Sequence, residues 1–353
     1  MSKNSSRTAS LFTAGDRLNL SKFVTAAVLY ISFAVYLYQP YLKRFSSCSP
    51  ERYLLVFNSC LASLGCFVLT RRWVAAFWGS FFAGAIYGFG PFALGLAKFH
   101  PAAGLLAATV PWLFCPAAFG PKTRWRWIRW PLSALPFLTI LLFFQASAHW
   151  RLFAVPIQAR VNLADVGRVA FPLVAAEQNT ILVGFYHIPT APLIMGFSML
   201  VAARRFGIIV IFCIGTILAF CNSFFQISPI IWLTIPMLCC SVLIGAGLQG
   251  LAWAGSADRR WVLMTAVIMA ILSIVTLLLA TKYFQIFAGL ADRYAKLLTE
   301  TAEMYILGTV AVAIVFFMAR AKVRIHWLRW VVLCLAMVVD IFLGARFITG
   351  RVF

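Results

Sequence analysis

Long apolar runs separated by short polar connectors recur along the whole chain. A run of roughly 20 apolar residues is long enough to cross a hydrocarbon core of about 30 Å as an α-helix. The pattern therefore predicts an all-α polytopic membrane protein. Its eleven predicted spans cover residues 22–42, 53–70, 73–97, 101–119, 130–148, 180–202, 206–225, 229–253, 261–281, 304–320 and 327–348.

The spans form one predicted transmembrane domain over residues 22–348. Before it lies a polar tail, residues 1–21, which is rich in serine and lacks the apolar core of a cleavable signal peptide. The arginines of this tail leave a mitochondrial presequence open, although Asp16 and the lack of an amphipathic period argue against one. Residues 349–353 follow as a short tail, and no connector is long enough for a separate soluble catalytic domain.

Positive charge is distributed unevenly between the two sides of the predicted bundle. The chain carries 30 lysines and arginines against 9 acidic residues, a net charge of +21. If the spans alternate in direction, 18 of these cations fall on one side, together with only two acids. They lie in the N-terminal tail, at Arg71 and Arg72, within residues 122–130, at Arg204 and Arg205, at Arg259 and Arg260, and between Arg320 and Arg329. By the positive-inside rule this side is cytoplasmic, so the N-terminus is predicted to be cytoplasmic and the C-terminus external.

Residues 122–130 are the clearest anchor for this orientation. Four cations and three tryptophans lie within this short stretch, between two long apolar runs. Indole rings settle at the level of the lipid headgroups, and short cationic loops contact anionic headgroups. Membrane topology therefore explains the charge, with membrane lipids as predicted partners and no binding to nucleic acid. We expect an integral protein of a bacterial inner (plasma) membrane.

Two connectors on the predicted external side could form amphipathic helices. In residues 149–179, polar residues recur at helical spacing, at Gln158, Asn162, Asp165 and Arg168. They predict a helix lying on the membrane, although a two-residue alternation over residues 157–163 favours a strand instead. Residues 282–303 combine an apolar stripe with a ladder of alternating charges at Asp292, Lys296 and Glu300. A plain connector resting on the headgroups is the alternative for both segments.

Asp340 lies deep inside the last predicted span, after the apolar run 331–339. An ionisable residue within the hydrocarbon is costly and is therefore a functional candidate by default. A carboxylate there has to be protonated, paired with a cation or open to a water-filled cavity. A proton relay is one hypothesis for Asp340. The alternatives are a structural pair with an arginine or lysine of a neighbouring helix, or a span boundary placed one turn too far out.

The sixth span is the most irregular of the eleven. Pro189 and Pro192 cannot donate backbone hydrogen bonds, so they are predicted to free two carbonyls within this helix. In a membrane such a gap is tolerated only against protein, polar side chains or a cavity. His187 lies just before the first proline, and Glu177 and Asn179 lie at the outer end of the span. These three are candidate binding residues, although a lone histidine is more often a hydrogen-bonded packing residue.

The third and eighth spans are both interrupted by glycine and proline. The third contains Gly84, Gly88, Gly90, Pro91 and Gly95, and the eighth contains Pro229, Pro236, Gly245, Gly247 and Gly250. Small residues at this spacing let helices approach closely. Because the two spans are five apart, two five-span repeats in inverted topology, followed by one further helix, would also explain the pattern. The two halves share no evident sequence identity, so close packing alone is the simpler explanation.

No cofactor or metal site is predicted. Eight of the nine cysteines lie inside apolar runs and no CxxC pair is present, which argues against a redox or metal framework. His100, His149 and His187 lie toward the predicted external side, but no HxH or HExxH spacing links them. P-loop, dinucleotide-binding and GxSxG motifs are also absent, so energy from ATP would require a partner chain.

Three functional hypotheses follow from these features. The first is a carrier or permease for a small or lipid-like solute, with proton coupling at Asp340. The second is a membrane-embedded transferase or hydrolase that acts on a lipid-linked substrate at the external face. Its candidate residues are Glu177, His187 and Arg168, and Asp165 is a further candidate for substrate binding or coupling. The third is a non-catalytic subunit of a membrane complex, whose partners are other subunits or further copies of the chain. A carrier predicts that Asp340→Asn abolishes coupled uptake, whereas an external enzyme predicts that its own candidates matter and Asp340 does not.

Overall fold

The computed structural model describes residues 20–43, 50–99, 101–119, 129–150, 161, 171, 173–174, 183–203, 206–221, 227–255, 258–286, 292–321 and 326–352. Within these ranges the regular structure is helical and no strand occurs, as the apolar runs predict. The helices are α1 (Leu20–Lys43), α2 (Pro50–Thr70), α3 (Phe77–Phe89), α4 (Pro91–Phe99), α5 (Pro101–Phe119), α6 (Arg129–Trp150), α7 (Thr190–Ala202), α8 (Phe206–Phe220), α9 (Pro229–Trp232), α10 (Thr234–Trp253), α11 (Arg259–Ile286), α12 (Asp292–Arg320) and α13 (His326–Val352).

Eight helical stretches in the described ranges are long and apolar enough to cross a membrane. They are Leu20–Pro40, Tyr53–Thr70, Phe77–Leu96, Trp130–Ser147, Pro229–Trp253, Arg259–Lys282, Tyr294–Arg320 and His326–Gly350. Three shorter apolar helices coincide with the other predicted spans, at Ala103–Phe119, Thr190–Ala202 and Gly207–Phe220. The chain is therefore a polytopic helical membrane protein, and eleven crossings remain a prediction.

Helices α3 and α10 form the centre of the bundle. The stretch Pro229–Trp253 is 94% buried inside the protein, whereas Arg259–Lys282 at the periphery is only 28% buried. Helices α3 and α10 run antiparallel: the Ala76 N–H donates to Gln249 Oε1 at 2.9 Å, and one turn further Gly79 meets Gly245. A Cβ atom on either glycine would lie within 2.8 Å of the carbonyl oxygen of the other. The predicted role of small residues in close helix packing is thus confirmed here.

The third predicted span is broken into two helices. Helix α3 ends at Phe89, Gly90 takes an extended conformation with ψ of 164°, and α4 begins at Pro91. Proline suits the first position of a helix, because its missing N–H would have no partner there. The Gly-Pro pair therefore ends one helix and starts the next within a single span.

The prediction of one helix over residues 180–202 is wrong for residues 183–189, which are not helical. Helix α7 begins only at Thr190, with Pro189 as its N-cap residue and Pro192 in its first turn. At these positions proline removes no helical hydrogen bond, so both prolines start the helix and do not interrupt it. Gly184, with φ of 148°, adopts a backbone conformation that favours glycine.

The prediction of a separate surface helix over residues 282–303 is also wrong. Helix α11 continues to Ile286, and α12 runs from Asp292 to Arg320 without a break. Leu297 and Leu298 are buried against the bundle, while Lys296 is exposed. The amphipathic period is therefore the first part of a spanning helix, with no proline to stop it. The surface helix predicted over residues 149–179 lies almost entirely outside the described residues.

Three basic connectors meet at one end of the bundle, which we call the basic end. Arg329 Nη1 donates to the Ala254 carbonyl oxygen at 2.6 Å, just after the C-terminus of α10. Arg259 Nη2 donates to the Arg320 carbonyl oxygen at 3.3 Å. The connector that contains Arg71 lies at the same end, because its Ala76 N–H donates to the Gln249 side chain near the C-terminus of α10. Cations at helix C-termini are favoured by the helix dipole, so these arginines stabilise the ends they contact.

Gly247 provides a direct test of the packing between α7 and α10. A Cβ atom at Gly247 would lie 1.7 Å from the Pro192 carbonyl oxygen, whereas one at Gly207 would have no neighbour within 4 Å. We expect Gly247→Ala to lower the free energy of unfolding by about 2 kcal/mol or more, because the backbone of α7 has to move. Gly207→Ala, the matched control, should leave it unchanged or raise it slightly. Thermal unfolding in detergent measures both, and equal melting temperatures would contradict this packing.

Candidate functional site

Asp340 and His187 form a buried pair between α13 and the segment that precedes α7. His187 Nδ1 lies 3.1 Å from Asp340 Oδ1, and both side chains are 1% exposed. Asp340 lies 14 residues after His326 and 10 before Gly350, the ends of its candidate span. At 1.5 Å per residue it is roughly 21 and 15 Å from those ends, near the middle of that stretch. The pair therefore joins two buried polar side chains inside an apolar span.

The non-helical segment 183–189 is what brings His187 to this place. Its backbone N–H groups are not used in a helix, and the Ile188 N–H donates to Asp340 Oδ2 at 2.6 Å. The His187 carbonyl oxygen accepts hydrogen bonds from the Thr190 hydroxyl and from the Thr190 N–H. The carboxylate thus sits at the start of α7, where free N–H groups and the helix dipole stabilise a negative charge.

Tyr186 connects the same segment to the break between α3 and α4. Its hydroxyl donates to the Phe89 carbonyl oxygen at 2.5 Å, at the last residue of α3. Its ring lies on Gly344 of α13, where an added Cβ atom would be 2.4 Å from the ring. Gly344 is one turn after Asp340, so α13 supplies both the carboxylate and the space for the tyrosine. Two helix breaks and the buried pair therefore form one connected unit.

Helix α12 closes the site from a second side. The Tyr305 ring meets the His187 ring edge to face, with centroids 5.2 Å apart and an interplanar angle of 87°. Gly308, one turn further along α12, would place a Cβ atom 3.5 Å from the Ile188 side chain. Tyr305 is 1% exposed. The imidazole is thus held between an aromatic ring and a carboxylate, which fixes its orientation.

One nitrogen of the imidazole keeps its hydrogen-bonding capacity unused. His187 Nε2 is buried and has no hydrogen-bond partner among the described residues. In a neutral ring whose Nδ1–H faces Asp340, Nε2 is an acceptor, and in a protonated ring it is a donor. A buried polar atom without a partner costs about 1–3 kcal/mol, so Nε2 is a point at which a polar ligand atom would be stabilised.

The His187–Asp340 pair has no net charge when its two side chains share one proton. With one shared proton the pair is an imidazolium and a carboxylate, or a neutral acid and a neutral ring, and its net charge is zero. Releasing that proton leaves one negative charge, which faces the Ile188 N–H and the start of α7. A net charge at a low-dielectric site is costly, so the Ile188 N–H and the start of α7 are the groups that would compensate it.

The structure brings together two of the six candidate residues from the sequence. Asp340 and His187, proposed separately, are in direct contact. Among the described residues His187 is the partner of Asp340, so the alternative of an arginine or lysine partner is wrong. Substitution of His187 therefore cannot separate a carrier from an external enzyme, because it also alters Asp340. The other four candidates lie outside the described residues: Asp165, Arg168, Glu177 and Asn179.

Three residues of the site were missed from the sequence. Gly344 follows Asp340 at four-residue spacing, and Tyr186 adjoins His187, so both carried a local signal that could have been used. Tyr305 carries no such signal, since nothing along α12 indicates which of its faces meets the segment 183–189. Tertiary packing alone identifies it.

A double-mutant cycle tests the energetic coupling of the pair. His187→Leu and Asp340→Leu should each lower the free energy of unfolding by about 3 kcal/mol, because each leaves a buried polar partner uncompensated. The double variant should be no less stable than either single variant, since neither side chain is left facing an apolar one, and it loses the Ile188 N–H contact just as Asp340→Leu does. Unfolding in mixed micelles measures the cycle. Glu300→Gln on α12, combined with His187→Leu, is the control and should be additive; additivity in the main cycle as well would contradict the pairing.

Comparisons with protein-family models, with curated proteins and with solved structures find no match to this chain. The His187–Asp340 pair and the helices that hold it are therefore the basis for a functional proposal. The burial of the pair, and the imidazole nitrogen Nε2 that has no hydrogen-bond partner in the described part of the chain, are the two features that indicate chemistry.

Proposed function

We propose that the protein is a membrane carrier for a small solute and that it couples transport to protons at His187 and Asp340. The observation that carries this proposal is a titratable pair, closed from solvent, in the middle of an apolar span. Ionisable groups at such a position are expensive and typically mark ion, proton or substrate pathways. A purely structural bundle could replace both residues with apolar ones at little cost.

The helix breaks around the pair support a carrier. Carriers commonly bind substrates and coupling ions near the midplane, where discontinuous helices end and unpaired backbone groups face the site. Helix α7 has 13 residues and is roughly 20 Å long, too short to cross a hydrocarbon core of about 30 Å by itself. Its start contacts Asp340 through the Ile188 N–H, as expected for a half-helix at a coupling site.

The link between Tyr186 and Phe89 supplies a route by which the site could move its neighbours. Binding of a proton or a solute at His187 changes the charge beside the segment 183–189. That segment is hydrogen-bonded to the end of α3, where the chain is already broken at Gly90. Breaks of this kind are natural hinges, since a few residues there absorb the change in backbone angles. We propose that α4 and α7 shift relative to α3 and α10 during transport.

The central helices are also consistent with an inverted repeat. The third and eighth predicted spans correspond to α3–α4 and α9–α10, and α3 and α10 pack antiparallel through Gly79 and Gly245. Two five-span repeats in opposite orientation would place these spans together on the axis between the repeats. We propose this organisation for the first ten spans, with the helix that carries Asp340 as the eleventh.

The proposed orientation places the basic end in the cytoplasm. Arg71, Arg259 and Arg329 gather there, and short basic connectors remain on the cytoplasmic side of membranes. With eleven crossings the N-terminus is then cytoplasmic and the C-terminus external.

Proton flux in proteoliposomes tests the coupling. Purified protein is reconstituted with a pH-sensitive dye inside, and a panel of organic acids, amino acids, sugars and nucleosides is added outside under a pH gradient. We expect one solute class to accelerate proton entry in the wild type. Asp340→Asn should abolish this acceleration, because the amide cannot accept the coupled proton, whereas Glu300→Gln should retain it. Solute-driven proton entry that survives in Asp340→Asn, or no solute-dependent flux across the panel, would contradict proton-coupled transport.

A further inference from the structure

A cavity of about 640 Å³ lies at the basic end, away from His187 and Asp340. Its mouth is formed by the first turns of α6 and α8, where Trp130 and Gly207 line it and are both exposed. Its inner wall is the buried central helix α10, at Leu238 and Val242. The cavity therefore runs from the surface of the bundle to its centre, and its size is typical of pockets that hold small ligands.

The lining of the cavity is amphipathic. Most of it is apolar, but Arg72 and its neighbour in sequence, Trp73, also line it. Arg72 is only partly buried, and its guanidinium makes no hydrogen bond or ion pair with the described residues. Tryptophan rings settle at the headgroup level of a membrane, so Trp73 and Trp130 place the mouth at that depth.

No acidic side chain of the lining segments can neutralise Arg72. The chain has no aspartate or glutamate between Glu51 and Asp165, nor between Glu177 and Asp258. These two intervals include every residue that lines the cavity. The matching occupant is therefore an anion with a long apolar part. A planar guanidinium is well suited to a phosphate, which it can bind through two parallel hydrogen bonds.

We propose that this cavity binds an anionic phospholipid from the adjacent leaflet, with its phosphate on Arg72 and acyl chain against α10. The headgroup lies between Trp73 and Trp130, and the chain enters between α6 and α8. A lipid satisfies both halves of the lining at once, since the hydrocarbon covers the apolar wall and the phosphate supplies the missing negative charge. This proposal does not depend on transport at the His187–Asp340 pair.

Native mass spectrometry with titrated lipids tests the proposal. The wild type in detergent should retain one phosphatidylglycerol per chain, and should retain it more tightly than phosphatidylcholine. Arg72→Gln should lower the affinity for phosphatidylglycerol about tenfold, the loss expected for one charge-assisted contact. Arg72→Lys should restore part of this affinity. Arg260→Gln is the matched control, because it removes an exposed cation near the same end without altering the lining; its affinity should equal the wild type.

A second variant tests the cavity itself without changing any charge. Gly207 lines the mouth and a Cβ atom there has no neighbour within 4 Å, so Gly207→Trp can fill the cavity while the helix stays in place. Gly207→Trp should weaken the binding of both lipids and leave the melting temperature of the protein unchanged. The proposal would be overturned if Arg72→Gln and Arg260→Gln lowered the affinity for phosphatidylglycerol equally, or if Gly207→Trp left lipid binding unchanged. Displacement of the lipid by inorganic phosphate would also overturn it, because it would indicate a simple anion site.

Discussion

The constraint on which this structure depends is that a carboxylate inside an apolar bundle has to be compensated. Asp340 meets this constraint through His187 and through the Ile188 N–H. An uncompensated ion at this depth would cost several kcal/mol, a large fraction of the stability of a folded chain. The backbone around His187 has to stay non-helical, because a continuous helix would use the Ile188 N–H internally. The break before α7 and the buried pair are thus two consequences of one electrostatic requirement.

Close packing of glycines makes this arrangement geometrically accessible. Gly247 lets α7 lie against the central helix α10, and Gly344 leaves room for the Tyr186 ring on α13. Because Tyr186 also donates to Phe89, the position of the segment 183–189 is fixed to the end of α3. Apolar burial holds the outer helices, but directional contacts and small residues determine the geometry at the centre.

Much of the helical architecture could be predicted from local sequence patterns, but the pairing of His187 with Asp340 could not. The length of the apolar runs identified the helices, and the cost of burying a charge identified Asp340. The contact with His187 joins residues 153 apart in sequence, which no periodicity encodes. Pro189 and Pro192 signalled an irregularity correctly, but a proline can interrupt a helix or start one, and only the packing of α7 decides between these. The charged ladder at Lys296 was helical as predicted, although its period could not show that the helix continues to Arg320.

The most direct test of the central claim is whether water reaches the pair from both sides of the membrane. A cysteine at Met337, one turn from Asp340 and fully buried, is placed in a variant without the nine native cysteines. It is then treated with a membrane-impermeant thiol reagent in right-side-out and inside-out vesicles, with the lipid-facing Leu335→Cys on the same helix as control. A carrier predicts modification of residue 337 from either side and none of residue 335. Protection of residue 337 from both sides at every pH would mean that the pair is permanently sealed, and would contradict a role in transport.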